Sequence, residues 1–406
     1  MGLTRARGPK AWLKGTALKR PRYLVVAEPG RDLTRLALER VAAERGWVMA
    51  HSPAEADALI TCGPLSGELA AAAEVVWEQL PGPRARVDVD SPTGVESSLG
   101  HVLERLADDD FQCRDATTRP QEQPSDTGHA YTDKSDHGGM DQGGMDQGGM
   151  DQGGMDHGGM DMSGPGGIAL ASGGEDRDGL EMDVLHVQLG PVLGLWPSGL
   201  VVTVTLQGDV VVDAHAHHLD EAAAPERVDA RVAACERAAR ILALAGSRYA
   251  AAAVRLRDAL QMGTEVGSAD TGRQIDLDGE LAGLLARVQR SRTLRWSLRG
   301  LGDLKDDQIE KAGLPAGDQG DVHDRLIASL RLAADPVAAA PTSYGHRHRA
   351  VEALPSLLIG RELAEVRLTV ASLDLESRGV FPEPEHGPDA GGADAAGGAV
   401  AAEAVA

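Results

Sequence analysis

Residues 21–62, PRYLVVAEPGRDLTRLALERVAAERGWVMAHSPAEADALITC, change their apolar period twice, and that change decides the fold. The run PRYLVVAEP is short and apolar and stops at Pro29-Gly30, the pattern of a buried strand ending in a turn. From Arg31 the period becomes helical: Leu33, Leu36, Leu38, Val41 and Ala42 form one stripe that closes at Gly46. WVMAHS and ADALITCG then return to strand character. Strand, helix and strand in this order imply a parallel sheet covered by helices, because a parallel pair needs a long crossover. Downstream, GELAAAAEVVWEQ reads as a helix, ARVDVDS as a further strand and GHVLERLA as a helix. Residues 21–112 are therefore expected to form an α/β domain. In such a sheet ligands sit at the carboxyl ends of the strands, so the loops after Ala27, Cys62 and Asp90 are the expected site.

Further along the chain, residues 167–381 read as an α+β domain. EMDVLHVQLGPV and SGLVVTVTLQGDVVVDAHAHH alternate apolar and polar residues, with Val202, Val204 and Leu206 set against Thr203, Thr205 and Gln207. Gln207-Gly208-Asp209 marks a tight hairpin, so a small antiparallel sheet opens this domain. Everything after it has three- and four-residue spacing and predicts a helical bundle. Between the domains, residues 113–166 hold no core-forming pattern and repeat the unit GGMDQ. Paired glycines every five residues raise the entropy of ordering and leave nothing to bury, so this segment reads as a disordered linker. Residues 1–20 read as a basic disordered arm and residues 382–406 as a disordered acidic Gly/Ala tail.

The composition excludes several classes. Aromatic residues are only 3% of the chain, so Ala, Leu and Val must build the cores. The formal net charge of −22 argues against a nucleic-acid surface, which needs a basic face. Cys62, Cys113 and Cys235 form no CxxC pair, which excludes a disulfide framework and a self-contained zinc or iron–sulfur motif. The cysteine usage suits a reducing cytoplasm. The basic N-terminus lacks the apolar core of a secretory signal, and no run has the length of a spanning helix.

Five groups of residues stand out as candidates. Cys62, at a strand end, reads as a small buried hydrophobe, with a residual ligand or redox thiol as the sharper alternative. His215 and His217 alternate on one strand and so share a face, which suits a metal, although solvated edge-strand histidines are the plainer reading. In the repeat, Met140, Met145, Met150, Met155, Met160 and Met162 each adjoin an Asp, with His129, His137 and His157 nearby. Thioether and imidazole are ligands suited to Cu(I), so a copper-binding protein is an alternative to a plain flexible linker. Arg292, Arg295 and Arg299 lie at helical spacing and form either a basic stripe toward an acidic subunit or lipid, or an ordinary solvated face. His346 and His348 lie in a segment between helices that reads as a surface loop.

Two resemblances now meet. ADALITCGPLSGELAAAAEVVWEQLPGPRARVDVD resembles the B-type subunit of NADH-quinone oxidoreductase (complex I), a relative of the small subunit of nickel–iron hydrogenases. Pro64, Leu65, the helix through Trp77 and residues 79–84 (QLPGPR) occupy the places of that family's turn, helix and "QMPEPK" segment. The segments LGPVLGLWPSGLVVTVTLQGDVVVDA, CERAARILALAGSRYAAAA, RSRTLRWSLRGLGDL and VASLDLE resemble the D-type subunit of the same complex, the relative of the hydrogenase large subunit. The resemblance implies a B-like domain followed by a D-like one, on the inner face of the cell membrane in the cytoplasm. The implied partners are other subunits of a membrane-bound oxidoreductase or proton- or cation-translocating complex, with membrane contact made indirectly through them. It also implies a four-iron cluster on cysteines and a quinone site with histidines in the loop after Gly190-Pro191. The sequence departs from both: the strand-end loops are Glu28-Pro29-Gly30 and Ser91-Pro92-Thr93, and residues 190–197 hold no histidine. No cofactor is therefore expected, copper aside. A diverged, non-catalytic scaffold subunit of a respiratory assembly is the leading expectation. A copper-binding protein and an enzyme with an unrecognised site in the α/β domain are the alternatives.

Overall fold

The computed structural model describes residues 19–119, 172–175, 181–219, 225–265, 277–335 and 344–376. The GGMDQ repeat, residues 1–18 of the N-terminal arm and the acidic tail lie outside these residues. So do the candidate ligands His129, His137, Met140, Met145, Met150, Met155, His157, Met160 and Met162.

The first domain is the expected α/β unit. Strands β1 (Arg22–Ala27), β2 (Val48–Met49), β3 (Ala58–Cys62) and β4 (Ala85–Val89) form a parallel sheet in the order β2-β1-β3-β4. All five residues of β3 are buried, as a continuous apolar run with helices or partners on both faces requires. Helices α1 (Asp32–Glu44) and α3 (Val95–Ala107) cover one face around Leu38, Ile60, Val89, Leu99 and Val102. Helix α2 (Gly67–Gln79) covers the other face through Leu69 and Ala73.

One boundary moves. The apolar pattern ends the domain at residue 112, but helix α4 (Asp109–Thr118) continues it. Asp108 caps this helix by accepting from the Phe111 amide, and Asp115 then pairs with the buried Arg84 at 3.0 Å. The apolar periodicity that marks a helix in sequence is missing here, and a cap and a buried ion pair hold the segment instead.

The second domain opens on an antiparallel sheet, β5 (Ser172–Glu175), β6 (Glu181–Leu189), β7 (Leu200–Gln207) and β8 (Val210–His218), in sequential order. Gly208 and Asp209 connect β7 to β8, as the hairpin signal predicts. The long apolar stretch after it breaks at Gly246, whose φ of 62° ends helix α5 (Ala230–Leu244) before α6 (Ala250–Glu265). Helices α7 (Leu277–Arg290), α8 (Arg292–Leu298), α9 (Asp306–Ala312), α10 (Val322–Ala334), α11 (Tyr344–Leu358) and α12 (Leu363–Ser372) complete the bundle. His346 and His348 thus fall on α11, not in a loop.

Two cores serve this domain, one among α5, α6, α7 and α10, the other between the sheet and α9, α11 and α12. Neither domain closes its apolar surface alone. Leu36 of α1 belongs to the helical core, and Val201 and Leu219 of the second domain pack into the α2 side of the parallel sheet. Among the described residues no helix is long and apolar enough to cross a membrane.

Candidate functional site at the domain boundary

The carboxyl ends of β1 and β3, where the topology predicts a site, are closed. The Glu28 carboxylate, fully buried, accepts from the Ser66 amide at 3.0 Å and from the Ser66 hydroxyl at 2.8 Å. The Glu28 amide donates to the Cys62 carbonyl at 2.9 Å, so both loops are stitched together. Cys62 itself is fully buried, and burial pushes its thiol well above the usual cysteine range. A thiol so disfavoured as thiolate is a poor nucleophile.

Above this closure the second domain docks on the first. Gly30 and Gly199 adopt φ of 83° and 74°, and both lie where the domains approach closely. A Cβ on Gly30 would meet Pro225 at 2.8 Å, and one on Gly199 would enter the ring carbons of Pro29. Helix α1 has no capping side chain of its own at Arg31. Glu226 of the second domain supplies the cap, accepting from the Thr34 amide at 2.9 Å and the Thr34 hydroxyl at 2.7 Å. A carboxylate at a helix N-terminus also complements the helix dipole.

One turn further along α1, the boundary becomes a buried ion network. Arg35 bonds Glu39 of its own helix at 2.8 Å and Glu236 of α5 at 3.1 Å. Arg257 of α6 joins Glu236 at 2.6 Å, Glu39 at 2.8 Å and Asp258 at 2.7 Å. Arg240 reaches Glu236 at 3.4 Å and also pairs with Glu376, while Asp32 accepts from Arg35 at 3.2 Å. Three guanidinium groups thus face five carboxylates taken from both domains. Burial alone would raise the Glu236 carboxyl, but Arg257, Arg35 and Arg240 outweigh it and hold it well below the usual carboxylate range. Burial lowers Arg240, whereas Arg257 and Arg35 are raised because their carboxylate neighbours outweigh the same penalty.

This network forms one wall of a cleft of about 370 Å³ between the domains. Val25 and Met49 of the parallel sheet, Val254 of α6 and the β6–β7 loop also line it, the loop through Val192, Leu193 and Leu195. Leu195 sits at φ 60°, a left-handed conformation rare for a bulky residue, and marks this loop as locally strained. Trp196 anchors the loop by donating its indole N–H to the Leu200 carbonyl at 2.8 Å. Burial and the Glu39 carboxylate raise the Tyr23 phenol at the cleft wall, keeping it protonated. The Glu39 and Glu236 carboxylates already accept from guanidinium groups, so this wall holds charge in place and is poorly suited to proton transfer.

The cysteines do not converge. Cys62 lies in the α/β core, Cys235 is buried on α5 with its thiol pushed up to about 12 by burial, and Cys113 is exposed on α4. One buried thiol beside engaged carboxylate and hydroxyl groups does not fit a four-iron cluster, which needs four thiolates or their equivalents. His215 and His217 do share the exposed face of edge strand β8, but each turns to a different carboxylate. His215 lies 3.5 Å from Asp213, and His217 lies 3.7 Å from Glu68 of α2. A second cluster, Asp321, His323 and Asp324, comes together at the start of α10. There Asp321 and Asp324 cap the helix reciprocally, and Arg295 and Arg299 add positive charge. The capping box accounts for the two carboxylates, whereas the buried His323 Nε2 has no hydrogen-bond partner among the described residues.

The network residues escape sequence reading for a physical reason. Arg35–Glu39 and Glu236–Arg240 are each an i,i+4 pair, the ordinary dress of a solvated helix face. Only the docking of two such faces shows that they are buried. In comparisons with profiles of protein families, with curated proteins and with solved structures, nothing matches the chain.

Proposed function

We propose that this chain is a diverged, non-catalytic scaffold subunit of a complex-I-like or hydrogenase-like membrane-associated oxidoreductase, with its B-like and D-like domains held in one body. The observation that carries this reading is the domain boundary. The strand ends that bear a cluster in the resembled family are sealed by Glu28 and Ser66. The loop that binds a quinone there presents Val192, Leu193 and Leu195 to the cleft. Residues that carry no redox chemistry hold the two domains together, and this supports a scaffold role. The reading places the chain in the cytoplasm at the inner membrane face, bound to other subunits.

Purification of the tagged chain from its own cells under mild detergent tests this. Membrane subunits of an oxidoreductase or cation-translocating complex are expected to copurify, and the isolated chain is expected to lack visible iron–sulfur absorption. Recovery as a lone protein from the soluble fraction would sink the scaffold reading, and a cluster chromophore would sink the non-catalytic one.

A second reading is favoured by the cleft itself. A cleft lined by apolar residues together with Arg35, Arg257 and Glu236 suits a small amphipathic ligand, and domain boundaries are common places for such sites. On this reading the chain is an enzyme or binding protein whose site lies between the domains, not at the strand-end loops of the α/β domain.

A further inference from the structure

The most exposed large apolar side chain among the described residues is Trp296, at 83%. It sits on helix α8, where Leu294 and Leu298 are buried and fix the helix to the bundle. Arg292, Arg295 and Trp296 follow the i, i+3, i+4 spacing of one outward helix face, and Arg299, the residue after the last turn, is exposed beside them. Arg287 and Arg290, exposed at the end of α7, extend it. Residues 281–302 contain these five arginines and no Asp or Glu, in a chain whose net charge is −22. On neighbouring α10, Asp321 is buried in its capping role and Asp324 is exposed. The Ser291 hydroxyl caps α8, and the Arg295 guanidinium donates to the Gln289 carbonyl at 3.1 Å, so the stripe stands on a fixed element.

We infer that this face docks directly on an anionic lipid surface, with the arginines on phosphate headgroups and the Trp296 indole at the level of the headgroup boundary. Charge complementarity selects an anionic occupant. A protruding indole on a convex helix suits a bilayer, which accepts a single amphipathic ring without a preformed pocket. The rest of the acidic chain is screened, because repulsion fades within a Debye length of about 8 Å at physiological salt. This contact is direct, where the resemblance implies only an indirect one, and it does not rest on the scaffold reading.

The test is cosedimentation of the full chain with vesicles of phosphatidylglycerol in phosphatidylcholine, and with phosphatidylcholine alone, at low and high salt. Wild type is expected to bind only the anionic vesicles, and less at high salt. Neutralising the stripe (Arg292→Gln, Arg295→Gln, Arg299→Gln) is expected to lower the partition coefficient about a hundredfold. Trp296→Ala is expected to lower it about tenfold, since one aromatic anchor is lost. The indole emission assigned to Trp296, read as the difference between wild type and Trp296→Phe, is expected to shift to the blue on binding. All these side chains are exposed, so unchanged melting of the variants confirms their fold. No binding by wild type, equal binding to neutral vesicles, or undiminished binding by the triple variant each overturns the inference. Stripe-dependent binding to soluble polyglutamate with none to vesicles also overturns it, and assigns the face to an acidic polypeptide.

Discussion

The interior of the α/β domain and the boundary where it meets the helical domain are both buried, yet they are built from opposite chemistry. Around β3 the packing is Leu, Ile, Val and Ala, with Thr61 and Asp88 meeting at the sheet. At the boundary, Arg35, Glu39, Glu236, Arg240, Arg257 and Glu376 are stacked in a space of similar burial. Apolar surfaces gain free energy from many arrangements of similar area, whereas a buried charge tolerates only the arrangement that pairs it. The interior therefore supplies stability and the boundary supplies register. Replacing the network by apolar groups of equal volume need not destabilise the protein, but removing one partner does.

The largest effect expected from breaking this comparison is at the boundary. Arg257→Ala takes from the buried Glu236 and Glu39 one of the two guanidinium groups they share, leaving Arg35, and is expected to cost about 3–5 kcal/mol. Denaturant unfolding checks it, and because the lesion lies between the domains a single transition is expected to split into two. Ile60→Ala, in the sheet interior, is expected to cost about 2–5 kcal/mol through the cavity it leaves. Its transition is expected to stay single in the shared cores, and early release of the helical domain alone would contradict the division of roles. Gly199→Ala combines a positive φ with collision against Pro29 and is expected to cost about 1–3 kcal/mol by thermal melting. Glu226→Ala removes the cap that the second domain places on α1, with an expected cost of about 1 kcal/mol.

The pH dependence sharpens the same contrast. The Glu236 carboxyl is held well below its ordinary value of 4.5, so it binds its proton more weakly folded than unfolded. Its contribution is fully present above the unfolded value and is lost as pH falls through the lower folded one. The stability difference between wild type and Glu236→Gln is therefore expected to stay constant from neutral pH to about 4.5, and to shrink below it. A difference that shrinks as pH rises toward neutral would show that the carboxylate is not stabilised by the arginines. Ile60→Ala, which touches no titrating group of the network, is expected to show no such dependence.

Element types and their order are legible in the amino-acid sequence. The period change within residues 21–62 gives the parallel sheet, and Gly208-Asp209 gives the hairpin, because strand and helix periodicities and turn residues act over a few positions. Helix α4 is not legible in this way, since it has a cap and an ion pair where a stripe would be. The same reading points to the strand ends as the site, and there Glu28 seals the sheet while the cleft opens between the domains. That Arg35, Glu236 and Arg257 are interior, and that Trp296 is left outside, follows from tertiary packing alone. The reason is that a charged i,i+4 pair looks the same in sequence whether water or another helix lies against it. Burial of such a pair depends on a partner that here lies 201 residues away, as Arg35 and Glu236 do.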